Sequence, residues 1–207
     1  MNSCSWRICR LLVCGLIACC LTLPAAAAES KAPAPKPAAA PSDQEMMAAM
    51  MKLATPGPQH AALKPLEGSW KATVKSFMGP GEPAVSEGTA ENQMILGGRF
   101  LRQEYHGTFM GQPFEGYGVT GYDNAKKQYV GAWVDSVGTM IQTTTGSMDK
   151  SGKVLTLHGT WDDPVTHKKT PTKQIVRITD DKTNVFEMYG QMEGKEVKQM
   201  EITYTRK

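Results

Sequence analysis

Beyond residue 20 the chain has no cysteine: Cys4, Cys9, Cys14, Cys19 and Cys20 are the only five. A domain built from the rest has no disulfide, no thiolate nucleophile and no cysteine metal site. It must hold itself together by its core, which suits a bacterial periplasm better than a disulfide-rich secreted class. Beyond Leu23 there is also no apolar run long enough to span a bilayer. Charge of either sign is not in excess. The chain carries 23 Lys and Arg against 20 Asp and Glu, interleaved as in KATVKSF and KEVKQMEITYTRK. Without a basic block, nucleic-acid binding is disfavoured. Aromatics are scarce at 7%. No Gly-x-Ser-x-Gly, P-loop or zinc motif appears, so no cofactor or metal is implied.

What is present begins with a secretory leader over residues 1–28. Arg7 and Arg10 precede the apolar stretch Leu11–Leu23, Pro24 breaks it, and Ala25–Ala28 offer small residues for cleavage near Ala27 or Ala28. Removing the two arginines brings the net charge of +3 to about +1. A rival reading takes LIAC (Leu16–Cys19) as a lipobox, with a lipid anchor at Cys19. Either way the chain is expected to be exported, periplasmic or secreted. ESKAPAPKPAAAPSD (residues 29–43) is a Pro/Ala-rich linker with almost nothing to bury.

Residues 44–66 read as a helix and a lead-in turn. Ser42 and Glu45 make a capping box, and Pro56-Gly57-Pro58 stops the helix. Met46, Ala49, Met50 and Leu53 form a stripe widened by Met47 and Met51. Thioethers are soft ligands, which suggests copper(I). The favoured reading is that adaptable methionines pack the helix over one end or the outer wall of the domain. Leu63 and Leu66 should point inward.

From Glu67 the pattern changes to short segments rich in β-branched and aromatic residues, split by compact turns. Strands are expected near 68–78, 84–96, 99–107, 113–122, 128–135, 138–148, 153–161, 171–179, 184–192 and 196–206. The connections are hairpin-length, so sequence neighbours should be antiparallel neighbours. Ten such strands as an open sheet would leave two exposed edges, and closure removes both. The fold class is therefore all-β: an antiparallel up-and-down barrel over residues 67–207.

Trp70, Ala72 and Val74 share one face of the first strand; Met200, Ile202, Tyr204 and Arg206 share one face of the last. Closure makes these strands neighbours and lets Arg206 lie flat on Trp70, with Gly68 leaving room at the entry. Gly68, Trp70 and Arg206 resemble the Gly-x-Trp and closing-Arg signature of the lipocalins and wider calycins. TPGPQH, LEGSW, MILGGRFLRQEY, MGQPFEGYGVTGYD, Trp133-x-Asp135, DDPVTHKK and MEITYTRK together resemble a bacterial exported family, domain of unknown function 1579. The resemblance covers about Met46 to Lys207. It implies a barrel and export, and no activity or catalytic residue.

A barrel of this size can enclose one small apolar or amphipathic ligand. Parity nominates Tyr105, Trp133, Trp161, Met188, Met200 and Tyr204 as cavity lining. On RFLRQEYHG either face could be inside. An inward Arg102, Glu104 and His106 would make an isomerase or hydrolase site; the favoured reading is a solvated face with ion pairs. A structural envelope protein with a filled core is the third reading. His60, His106, His158 and His167 form no close motif, although a haem-binding barrel would need only one. His158 should face solvent. Asp162-Asp163 and Asp180-Asp181 suggest turns before they suggest calcium. Nothing in the sequence fixes an oligomeric state.

Overall fold

The structure, a computed structural model, describes residues 40–79, 81–163 and 166–207. The leader, most of the linker and Cys19 lie outside the described residues. Ten antiparallel strands follow one another around a closed barrel: β1 (Gly68–Ser76), β2 (Ala84–Ile95), β3 (Phe100–Phe109), β4 (Gln112–Asp123), β5 (Gln128–Asp135), β6 (Gln142–Met148), β7 (Val154–Asp162), β8 (Lys169–Ile178), β9 (Thr183–Met192) and β10 (Lys195–Arg206). Each strand pairs with its sequence neighbour, and β1 closes against β10 with Trp70 opposite Arg206. Closure leaves no edge strand to template aggregation.

Strand boundaries differ from the sequence reading by up to four residues, and two of the differences have clear local reasons. β6 begins at Gln142 rather than 138, because Asp135 turns the chain out of β5. Its Oδ1 accepts the Val137 N–H at 3.0 Å. β8 starts earlier, at Lys169, because the ladder runs on to Asp162 opposite it and their side chains pair at 3.1 Å.

One end of the barrel is plugged. Helix α1 (Asp43–Ala54) leads through Thr55 to helix α2 (Pro58–Ala61) and a 3-10 turn at Lys64–Leu66. Leu63 and Leu66 are buried beneath the strands, as their spacing predicts. They pack with Leu101, Tyr129, Leu155 and Leu157. His60, which no sequence pattern singled out, is buried here too. Its Nδ1 accepts the Gly57 N–H at 3.0 Å, and its ring meets Tyr122 edge-on. The Tyr129 hydroxyl donates to the Gln59 carbonyl at 2.9 Å, tying the plug to β5.

Helix α1 corrects an expectation. The capping box is present, with Ser42 Oγ accepting the Glu45 N–H. Yet no residue of the helix is buried. The methionine stripe does not pack on the barrel; Met46, Met47, Met50 and Met51 are 50–66% exposed. Only the helix's last carbonyls are held: Asn124 Nδ2 donates to Leu53 and Thr55, and Arg99 Nε to Ala54. The amphipathic pattern would serve packing equally well, but polar anchors at the C-terminal end set the helix's position instead.

Candidate functional site

Alternation fixes which side chains enter the barrel. Around Trp70 pack Ala72, Val74, Ala90, Tyr105, Ile202 and Tyr204, with Phe114, Trp133, Phe186 and Met200 partly buried against them. Trp70 is 1% exposed, and its Nε1 donates to the Leu66 carbonyl at 3.0 Å. The Arg206 guanidinium carbon lies 4.2 Å from the centre of the indole. Its nitrogens donate to the carbonyls of Glu67, Pro65 and Asp181 at 2.8, 3.1 and 2.8 Å. The cation therefore does more than stack: it binds the last turn of the plug to the final strand. Gly68 has φ +124°, and a Cβ there would come within 2.3 Å of Arg206 Nη1.

Toward the other end the inward side chains are only half-buried: Gln103, Phe114, Trp133, Gln142, Gln174, Phe186, Met188 and Met200. This is the candidate lumen. Trp133 and Asp135 sit on the same face two residues apart. The indole lies against β4, where a Cβ on Gly116 would meet its Cζ2 at 2.1 Å and one on Gly118 its Cε3 at 2.9 Å. Trp133 Nε1 donates to Asp135 Oδ2 at 2.9 Å, so the Trp133-x-Asp135 motif fixes the ring while its other carboxylate oxygen caps the loop.

The two sides of the lumen differ in chemistry. Across β4 to β8 one ladder row reads Thr120, Gly131, Thr144, Gly159 and Thr172. Hydroxyls alternate with positions that have no side chain. Gln142 and Gln174 approach each other at 3.5 Å over this wall. Facing it, β9 and β10 contribute Phe186, Met188 and Met200, with Met188 directly opposite Met200. Among the described strand residues inward by this alternation, the charged ones lie at the ends: Asp135 and Lys195 at the open end and Arg206 at the plug. The hydroxyl oxygen of Thr172 and the amide nitrogen of Asn184 are buried without a hydrogen-bond partner, in residues 8% and 4% exposed. Asn92 Oδ1 and Arg102 Nε are likewise buried without a partner, the latter on the outer face.

The sequence-nominated residues divide accordingly. Trp133 and Met200 are partly buried and pack against the cluster around Trp70, Met188 is half-buried opposite Met200, and Tyr105 and Tyr204 are buried within that cluster. Trp161 stands at the open rim, 38% exposed. Arg102, Glu104 and His106 lie on the outer face. Arg102 pairs with Glu104 at 3.2 Å and His106 with Glu115 at 3.8 Å, the solvated arrangement favoured from the sequence. His158 is exposed, as parity predicts. In the turns, Asp163 Oδ1 and Asp180 Oδ1 each accept a backbone N–H. Among the described residues no three His, Cys, Asp or Glu side chains gather as a metal site. No described helix is long and apolar enough to cross a membrane.

Burial raises the pKa of Tyr105 and Tyr204 and so disfavours their ionisation. Tyr204 is pushed up chiefly by burial and further by neighbouring Tyr105, and a hydrogen bond with Gln103 opposes this in part. Burial also raises Tyr105. A raised folded value means the unfolded chain ionises first, so stability falls as pH rises through and above the ordinary tyrosine value of 10.0. Below that value the contribution is intact. In thermal melts across alkaline pH, Tyr204→Phe should show a shallower loss of Tm than the wild type. An identical slope would mean that other groups govern alkaline unfolding.

On the outer wall, Glu187 is buried between Arg177 at 3.2 Å and Lys198, which also pairs with Glu201 at 2.7 Å. Burial pushes the Glu187 carboxyl up, but the hydrogen bonds from Lys198 and Arg177 outweigh it and leave the value lowered. This network stiffens β8 to β10 and lies outside the lumen.

The family described as "Protein of unknown function (DUF1579)" matches residues 55–206. No curated protein matches the chain. Among solved structures, the barrel is similar to Rv2717c from M. tuberculosis, with a TM-score of 0.56 and 17% identity over 74% of this chain and 99% of that one. It also matches the S-type phycobiliprotein lyase CPES from Guillardia theta, with a TM-score of 0.49 and 12% identity over 73% of this chain and 98% of that one. At these identities the likeness concerns the fold.

Proposed function

The chain belongs to the DUF1579 family, whose description assigns no chemistry, and we propose that it is an exported lipocalin-like protein that binds a small, uncharged, amphipathic ligand. The observation that supports this reading is that inward side chains away from the plug are only half-buried and fall into two unlike sets, Thr, Gly and Gln across β4 to β8 and Phe and Met on β9 and β10. The Thr/Gly/Gln wall offers hydroxyls and carboxamides, and the Phe/Met wall offers apolar, polarizable surface. A formal charge would find no counter-ion in the middle of the barrel and would lose its hydration. A neutral molecule with hydrogen-bonding groups along one edge meets both walls. Trp133, held by Asp135, supplies a flat face for stacking.

Native mass spectrometry of the protein purified gently from the envelope tests this. The expected result is a discrete added mass that is released on denaturation. A ligand carrying a full charge would overturn the chemistry assigned to the walls. A mass starting at an acylated Cys19 would replace the cleaved leader with a lipid anchor. Gly118→Leu places a side chain where Trp133 rests, so it should abolish capture while the barrel still folds. Capture undiminished in that variant would move the site away from Trp133.

A further inference from the structure

Four of the chain's 13 methionines fall within six residues of α1, and none of the four is packed. Methionine on a helix ordinarily earns its place by filling a core. Here Met46 is 50% exposed, Met47 60%, Met50 59% and Met51 66%. The helix is a stable element all the same. It has a complete capping box at its start, and Arg99 and Asn124 hold its last carbonyls. Its methionine face is thus displayed from a fixed base.

At about 100° and 1.5 Å per residue, Met46, Met50, Met47 and Met51 occupy an arc of roughly 140° within about 7.5 Å along the axis. The pairs Met46/Met50 and Met47/Met51 are one turn apart, and Met47/Met50 bridges them, all spacings at which helical side chains meet. Each side chain is long, unbranched and free to rotate. Several sulfurs can therefore converge on one ion without any change in the backbone.

We propose that this face is a soft-metal site, in which thioether sulfurs of Met46, Met47, Met50 and Met51 coordinate a single Cu(I) ion, with Ag(I) as its redox-inert equivalent. Neutral thioethers select Cu(I) over harder divalent ions such as Zn(II). The cysteine-free remainder of the chain offers no thiolate to compete for the ion. A thioether has no proton to lose, so binding should be nearly independent of pH across the range where imidazole and thiolate sites weaken on acidification. The ion binds intact, with no change of oxidation state.

The test is titration of the protein without residues 1–28, which removes all five cysteines, with Ag(I), and with Cu(I) under anaerobic conditions against a chromophoric Cu(I) chelator. Wild type should bind one ion. Met47→Leu combined with Met50→Leu should weaken binding by about tenfold or more, with helicity unchanged because leucine and methionine are similar helix formers. Met188→Leu with Met200→Leu, which removes the lumen thioethers, should leave affinity unchanged. Affinity at about pH 5.5 should match that at about pH 7.5. The proposal is overturned if wild type binds no better than a variant with all four helix methionines replaced by leucine. It is also overturned if binding follows Met188 and Met200, or if acidification weakens it as it would an imidazole site.

Discussion

Replacing Trp70 by alanine lowers stability by about 3–5 kcal/mol, the range for removing a large aromatic from a packed core. For a domain of this size that corresponds to roughly 10–15 °C in Tm. The expectation rests on more than burial. Trp70 sits on β1 between β10 and β2, opposite Arg206 and Ala90; its Nε1 donates to the Leu66 carbonyl, and Arg206 covers one face. Trp70→Phe keeps most of the apolar area but loses the hydrogen bond, so it should fall between wild type and alanine. A shift of only a degree or two in Trp70→Ala would mean that the cluster around Trp70 is not the stabilising core.

Gly68→Ala is the second large effect. At φ +124° a side chain is strained wherever it points, at a cost of about 1–3 kcal/mol. This one would also occupy the position of the Arg206 guanidinium, 2.3 Å from Nη1. The arginine must swing away, releasing the Glu67 and Pro65 carbonyls and uncovering Trp70. The total should reach about 2–4 kcal/mol. Arg206→Ala alone should cost about 0.5–2 kcal/mol. Once the guanidinium is gone, Gly68→Ala retains only its backbone strain. Denaturant melts of the two single variants and the double should therefore show at least about 1 kcal/mol of coupling. Additive values would break the proposed linkage between the entry glycine and the closing arginine.

These residues could be read from the sequence because closure follows from local signals. Compact turns make sequential strands antiparallel neighbours, period-2 alternation gives each strand a face, and a closed barrel puts the first strand beside the last. Gly68, Trp70 and Arg206 then have to meet. The lumen's polar wall was not legible in the same way. Thr120, Thr144 and Thr172 look like ordinary strand threonines until the register aligns them across β4 to β8 with Gly131 and Gly159 between them. Gln103, Gln142 and Gln174 are likewise unremarkable one strand at a time. The placement of Asp135 beside Trp133 was legible: the two share parity two residues apart, although the hydrogen bond between them was not predicted. Helix α1 misled for the opposite reason. Its periodicity marks an apolar face correctly, but periodicity says nothing about whether anything covers that face.

The proposed lumen at the half-buried end of the barrel should admit neutral amphipathic molecules. The most direct measurement is fluorescence titration with two matched probes, neutral N-phenyl-1-naphthylamine and anionic 1-anilinonaphthalene-8-sulfonate. One saturable site is expected for the neutral probe, with tryptophan energy transfer that falls in Trp133→Phe while Trp70 and Trp161 still contribute, and much weaker binding of the sulfonate. Equal binding of both probes, or no saturable binding of the neutral one, would contradict it.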